Sequence, residues 1–196
     1  MLILKGIKMS IPLVKQAQYR VASYLKAGDT AIDATMGNGF DTIFLAEKLA
    51  NIGQIYAFDV QQQALDATSS RLKSKALNNC YLIHDSHEKV LDYLEKDSVN
   101  NIRCTMFNLG YLPSSDKAHQ TSIDPTLKAL DSCLSILDSP GIISVIAYTG
   151  HPGGREETEA VKAWANNLNT ADYSITIEIP KTLKSSPPEL IFIETN

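Results

Sequence analysis

The sequence predicts a doubly wound α/β fold: a seven-stranded, mostly parallel sheet that ends in a C-terminal antiparallel hairpin. Two observations predict it. Short apolar runs rich in β-branched and aromatic residues alternate five times with longer segments of helical period, the pattern of a parallel sheet with helices on both faces. Near the C-terminus that rhythm breaks into two strand-like runs joined by a link too short for a helical crossover. The scale agrees: 196 residues, 44% hydrophobic and 20% charged, suffice for one core and are short for two domains. Residues 1–196 are expected to form a single domain.

Taken in order, residues 1–28 hold Lys5, Lys8, Lys15, Arg20 and Lys26 and no acidic residue. They predict a basic helical segment packed on the domain, either a solvated amphipathic helix or a face for a polyanion. Strands follow at 30–35, 54–59, 80–84, 103–108 and 142–148, with helices at 42–51, 61–77, 88–96, 125–138 and 155–167. Residues 173–179 alternate polar and apolar, 190–194 form a second run, and 181–188 connect them.

A formal charge of −4 excludes a uniformly basic nucleic-acid binder but not a local basic patch. Cys80, Cys104 and Cys133 contain no CxxC pair and read as buried free thiols of a reducing cytosol, with neither a disulfide framework nor a metal site. No apolar run reaches the ~18–20 residues of a membrane span, and the apolar start at Leu2–Leu4 is not followed by a signal-peptide core. A cytoplasmic protein without a membrane partner is expected.

The strongest local signal is Asp33-Ala34-Thr35-Met36-Gly37-Asn38-Gly39-Phe40-Asp41-Thr42, a strand running through a Gly-x-Gly turn into a helix. Gly37 and Gly39 let the backbone turn tightly and approach a ligand. Asp59 ends the next strand, where a carboxylate accepts hydrogen bonds from a ribose diol. Asp33 and Asp41 bracket the loop and would repel a pyrophosphate, but stabilise the sulfonium and ammonium of S-adenosylmethionine. The third glycine of the dinucleotide fingerprint is replaced by Thr42. Asp41 also reads as a favourable charge in a first helical turn.

The third strand ends in His84-Asp85-Ser86-His87-Glu88. Asp85 is placed to accept from an adenine amino group, with Ser86 or His87 against the ring, while either Asp85 or Ser86 has the spacing to cap the following helix. His84 reads as a core histidine. The fourth strand delivers Asn108-Leu109-Gly110-Tyr111-Leu112-Pro113, which resembles the Asn-Pro-Pro-Tyr/Phe motif of methyltransferases acting on exocyclic amino groups. An amide oxygen there accepts from the amine and aims its lone pair, and an aromatic face stacks on the base. Residues 111–123 form a long loop with Asp116, Lys117 and His119, closed by Asp124 as a cap and Pro125 as first helical residue. After the fifth strand, 148–157 supply His151 and Arg155 on the substrate side.

Together, 33–42, Phe58-Asp59-Val60-Gln61, 85–88, 108–113 with Asp116-Lys117, 148–157 and Ser186-Pro187-Pro188-Glu189-Leu190 resemble the putative rRNA methylase family. These are small Rossmann-like class I methyltransferases, now associated with methylating 5-aminomethyl-(2-thio)uridine at the tRNA wobble position. The resemblance covers nearly the whole chain, and Thr35 matches the family's own variant of the first loop glycine. Ser114-Ser115 and Thr149 depart from its usual glycines and proline. It implies methyl transfer from S-adenosylmethionine to the aminomethyl nitrogen, leaving S-adenosylhomocysteine, with tRNA as partner and a homodimer as assembly. Asn108 and Tyr111 would orient the target, Asp116, His151 or His87 would take a proton, and Asn38, Asp59, Gln61 and Ser86 would hold the cofactor. Rival readings are a methyltransferase for another RNA, a protein or a small molecule, a non-catalytic S-adenosylmethionine-binding module, and an NAD-dependent oxidoreductase.

Overall fold

The computed structural model describes residues 11–97, 99–110, 121–180 and 186–196. Helix α1 (Leu13–Ala22) precedes β1 (Thr30–Asp33), α2 (Phe40–Lys48), β2 (Gln54–Asp59), α3 (Gln62–Ser74) and β3 (Cys80–His84). A 3-10 turn (His87–Lys89) leads into α4 (Val90–Lys96), then β4 (Ile102–Leu109), α5 (Ile123–Ser135), β5 (Ile142–Ala147), α6 (Gly154–Asn166), β6 (Tyr173–Glu178) and β7 (Glu189–Thr195). The sheet order is β3-β2-β1-β4-β5-β7-β6. β7 runs antiparallel to both β5 and β6, so the hairpin supplies the inverted strand that the sequence predicts.

Side-chain alternation along the strands divides the core into two layers. Ile32, Phe58, Phe107, Val145 and Ile191 face α4, α5 and α6. Ala31, Ile55, Met106, Ile146 and Phe192 face α1, α2 and α3. Burying each large side chain contributes about 1.5–3 kcal/mol, and this two-sided burial is what places β1, β4 and β5 at the centre.

Register positions the site. Asp33 of β1 pairs with Ala57 of β2 on one side and Met106 of β4 on the other. Asp59 and Asn108 therefore each stand two residues beyond the end of β1, flanking the loop that leaves it. β1 lies where the strand order reverses, the crevice in which open α/β sheets bind ligands.

Several expectations are corrected. His84 is exposed on edge strand β3, its Nε2 3.0 Å from the Val60 carbonyl, because β3 has a neighbour on one side only. Cys80, on the same edge, is only partly buried, whereas Cys104 and Cys133 are fully buried. α5 begins at Ile123 after Ser122, so Pro125 is its third residue and Asp124 lies inside the helix. Proline is tolerated there because first-turn N–H groups lack intrahelical partners. α2 stops short of residue 51 because Ala50 and Asn51 take positive φ of 53° and 60°.

The basic face of α1 is also smaller than its composition suggests. Arg20 forks onto Glu194 of β7, with Nε 2.8 Å from Oε1, and lies 4.9 Å over the Phe192 ring. Tyr24 donates to the same carboxylate at 2.7 Å. These contacts fasten α1 to the sheet and leave the Arg20 charge committed to Glu194. Among the described residues no helix is long and apolar enough to cross a membrane.

Candidate active site

The loop from β1 to α2 is held by its own polar groups. Gly37 and Gly39 have φ of 51° and 78°, a region that favours glycine. A Cβ at Gly39 would stand 2.5 Å from Thr68 Oγ1, so this glycine is required by the approach of α3. The Gly37 N–H donates to Asp59 Oδ2 at 2.9 Å, and Thr68 Oγ1 donates to the Gly37 carbonyl at 3.2 Å. Asp33 is completely buried beneath the loop, where it accepts from Thr42 Oγ1 at 2.6 Å and from the Thr35 N–H at 3.3 Å. Burial and the charge of Asp41 push its pKa up to about 7. Asp33, Gly39 and Thr42, all within the cofactor-loop motif, do not line the cavity. They stand behind the loop, where their contacts hold its shape.

In front of the loop, at the C-terminal ends of the strands, lies a cavity of about 900 Å³, within the range of small-molecule sites. Gly37, Asn38, Asp59, Gln61, Asp85, Ser86 and His87 line one side. Asp59 Oδ1 accepts from the Gln61 N–H at 2.9 Å. Burial raises the pKa of Asp59 against the opposing pull of its backbone donors. At Asp85, burial is outweighed by hydrogen bonds from Lys89, Ser86 and Tyr93, which hold its pKa below the usual carboxylate range. The adenine contact expected of Asp85 therefore competes with Ser86 N–H at 2.8 Å, Lys89 Nζ at 2.9 Å and Tyr93 OH at 3.0 Å.

Ser86, not Asp85, caps the following turn, accepting from the Glu88 N–H. His87 directs Nδ1 at the Ala34 carbonyl, 3.1 Å away, and packs edge-on against Phe107. Burial pushes its pKa down. A carbonyl only accepts, so Nδ1 carries the proton and Nε2 is left as an acceptor.

Asn108, Gly110, Tyr148, Thr149 and His151 line the other side, with Val14 of α1. The Asn108 N–H donates to Thr35 Oγ1 at 2.6 Å, so the hydroxyl at the position of the usual loop glycine ties the loop to β4. Asn108 Nδ2 donates to Asp41 Oδ2 at 2.7 Å, and Gln18 Nε2 to Asp41 Oδ1 at 2.6 Å. Asp41 thus meets the amides of Gln18 and Asn108. His151 lies where a Cβ on Gly154 would come within 2.6 Å of Nε2, so Gly154 makes room for the ring. Thr149 Oγ1 donates to the Pro187 carbonyl at 3.0 Å, a bond that proline could not make. Arg155, expected near substrate, is exposed on α6 and does not line the cavity.

Tyr111, Asp116, Lys117, His119 and Ser114-Ser115 lie outside the described residues. At the end of that segment the Thr121 N–H donates to the Gly110 carbonyl at 2.9 Å. Thr121 and Thr126 both donate to buried Glu157 at 2.7 Å. Sequence reasoning missed Gln18 and Glu157, and it assigned Thr35 no contact. Gln18 carried a signal, a polar residue on the apolar face between Ala17 and Val21; Glu157, in the first turn of α6, carried none. Among the described residues no group of side chains could hold a metal ion.

Residues 55–194 match the family described as "Putative rRNA methylase". The chain is 36% identical over 178 residues to an Arabidopsis thaliana protein named tRNA (mnm(5)s(2)U34)-methyltransferase, chloroplastic, covering 86% of this chain and 64% of that protein. The chain thus spans less than two thirds of that relative. A structure titled putative rRNA-methylase, from Clostridium thermocellum, superimposes with TM-score 0.90 at 32% identity, over 96% of this chain and 100% of that one. A Streptococcus mutans structure titled putative methyltransferase, in complex with SAH, gives TM-score 0.86 at 33% identity with the same coverage.

Proposed function

This chain belongs to the rRNA methylase family, and on that premise we propose that it is an S-adenosylmethionine-dependent N-methyltransferase acting on RNA. Its acceptor is the aminomethyl nitrogen of 5-aminomethyl-(2-thio)uridine at the tRNA wobble position. The observation that carries the reading is Asn108. It stands at the end of β4 on the cavity wall with the N–H side of its carboxamide bonded to Asp41, so the oxygen is the side left to meet an amine.

The residues present fit S-adenosylmethionine. Of the residues that line the cavity, Asp59 and Gln61 would hold the ribose, Ser86 and His87 would wall the base, and Asn38 would contribute from the loop. The Asp59 carboxylate, on the Gly37 N–H, opposes a pyrophosphate at this loop and tolerates a ligand without phosphate. When bound, the cofactor supplies a methyl group on a sulfonium. The protein's own work is positioning. Asn108 Oδ1 accepts an amine hydrogen and directs the nitrogen lone pair, Tyr111 stacks on the base, and burial in the cleft lowers the pKa of the amine so that it loses its proton before attack. Asp116, His151 and His87 are the candidates to accept that proton. The same reading makes tRNA the partner, a homodimer the assembly and the cytoplasm the place of action.

The test is to incubate the protein with labelled S-adenosylmethionine and tRNA from cells lacking the final wobble methylation, then identify the nucleosides by mass spectrometry. Conversion of the aminomethyl to the methylaminomethyl nucleoside is expected. No transfer, with S-adenosylhomocysteine binding confirmed, would overturn the acceptor and point to another substrate through the Ser114-Ser115 departure.

A further inference from the structure

We propose that Asp41, itself held by Gln18 of α1, is a positioning residue that sets the amide of Asn108, and not a ligand of the cofactor. The proposal deepens the methyltransferase reading above and rests on it for its kinetic arm.

The polarity of the contacts decides the matter. Lys15 Nζ can only donate, and it lies 2.8 Å from Gln18 Oε1. That fixes the Gln18 amide with Nε2 toward Asp41 Oδ1, at 2.6 Å. Asp41 Oδ2 then accepts from Asn108 Nδ2 at 2.7 Å. A rotated Asn108 amide would bring its oxygen against a carboxylate oxygen with no proton between them, which is unfavourable. From Lys15 onward every group in the row has one workable orientation, and the last of them leaves Asn108 Oδ1 turned away from Asp41. The Asn108 backbone is meanwhile pinned by Thr35 Oγ1 at 2.6 Å.

Burial strengthens the row. Gln18 is 4% and Asp41 6% exposed, so the hydrogen bonds between them and Asn108 act in a low-dielectric setting even though Asp41 borders the cavity. α1 cannot drift from this position cheaply, since Arg20 and Tyr24 bind Glu194 of β7. Asp41 borders the cavity, yet each of its oxygens is bonded to a protein amide, which turns the carboxylate toward Gln18 and Asn108. α1 is thereby part of the catalytic apparatus, though it lies far from β4 in sequence.

The experiment compares Asp41→Asn and Gln18→Leu with the unmodified protein in three measurements: kcat with the aminomethyl tRNA, calorimetric Kd for S-adenosylhomocysteine, and the Asn108 side-chain amide signal in protein labelled with ¹⁵N-asparagine. Asn108→Ala identifies that signal. The expected result is a fall in kcat of roughly 10- to 100-fold for Asp41→Asn and about 3- to 10-fold for Gln18→Leu. The Kd should stay within about twofold, and Gln18→Leu should shift the amide signal. In an Asn108→Ala background, Asp41→Asn should cost at most about twofold more, because residues acting as one unit are not additive. A Kd that weakens as much as kcat falls, or effects that multiply with Asn108→Ala, would overturn the proposal. If Asp41→Asn does not fold, Gln18→Leu decides by the same criteria. If the unmodified protein methylates no such tRNA, the acceptor reading fails, while an amide signal unmoved by Gln18→Leu would still refute the row of contacts.

Discussion

The cavity has two walls, and they are assembled differently. Over β1, β2 and β3 most of the deciding bonds join residues near one another in sequence, Gln61 to Asp59 two apart, Thr42 to Asp33 nine apart and Gly37 to Asp59 22 apart, while Thr68 to Gly37 and His87 to Ala34 reach 31 and 53. Over β4, β5 and β7 they span the chain. Asn108 reaches Thr35 across 73 residues and Asp41 across 67, Thr121 reaches Glu157 across 36, and Thr149 reaches Pro187 across 38. The first wall is set mainly by loops and strand ends, whereas every one of these second-wall bonds waits on the closing of the sheet. It follows that cofactor binding and target positioning should be separable by substitution.

The sharpest separation is expected at Asn108. Asn108→Ala should lower kcat about 100-fold or more, as loss of a group acting in the transition state does, with the Kd for S-adenosylhomocysteine unchanged. A parallel loss of both would merge the two walls. At Asp59 the reverse holds. Asp59→Ala removes an acceptor for two backbone N–H groups as well as the expected ribose contact, and hydrogen bonds to a charged group contribute about 1.5–3 kcal/mol. Calorimetry should show the Kd weakened about 10- to 100-fold with kcat at saturation little affected.

Gly39→Ala probes whether the first wall is built by packing. The new Cβ meets Thr68 at 2.5 Å in a left-handed conformation, a strain of about 1–3 kcal/mol. Thermal melting should show the loss, and Thr68→Gly should recover the steric part of it. No recovery would mean that the backbone angle alone makes the demand.

Asp33 gives the wall a pH dependence. The folded state keeps its proton up to about 7 while the ordinary value is 3.8, because of burial and of the charges of Asp41 and Asp59. Between those values the folded state binds more protons than the unfolded one, so this group makes stability fall as pH rises from about 4 to 7, with no further change above. In urea titrations, the stability of Asp33→Asn relative to the unmodified protein should climb over that interval and then level. A flat difference would show Asp33 to be an ordinary carboxylate. The smallest effect is expected at Thr149. Thr149→Val removes one hydrogen bond of about 0.5–1.5 kcal/mol and should raise KM for RNA a few fold while leaving the cofactor Kd alone.

Legibility follows the same division. The strand ends at Asp59 and Asn108, the glycine turn and the terminal hairpin are readable because each is a short-range pattern of residue types. That Asp33 and Thr42 lie behind the loop, off the cavity lining, was not readable, because proximity in sequence to a ligand loop does not distinguish its front from its back. His84 was read as core because apolar neighbours do not reveal that β3 is an edge strand.

The sequence by itself determined the alternation of strands and helices, the inverted last strand and the chemistry gathered at the strand ends, since these rest on periodicity and on the backbone demands of particular residues. Only the tertiary structure decided which polar atoms face one another. Gln18, Thr35, Asp41 and Asn108 meet because the register of β1 against β4 and the docking of α1 on β7 bring them within hydrogen-bond distance. Such distances are set by the packing of the whole core, and no local pattern encodes them.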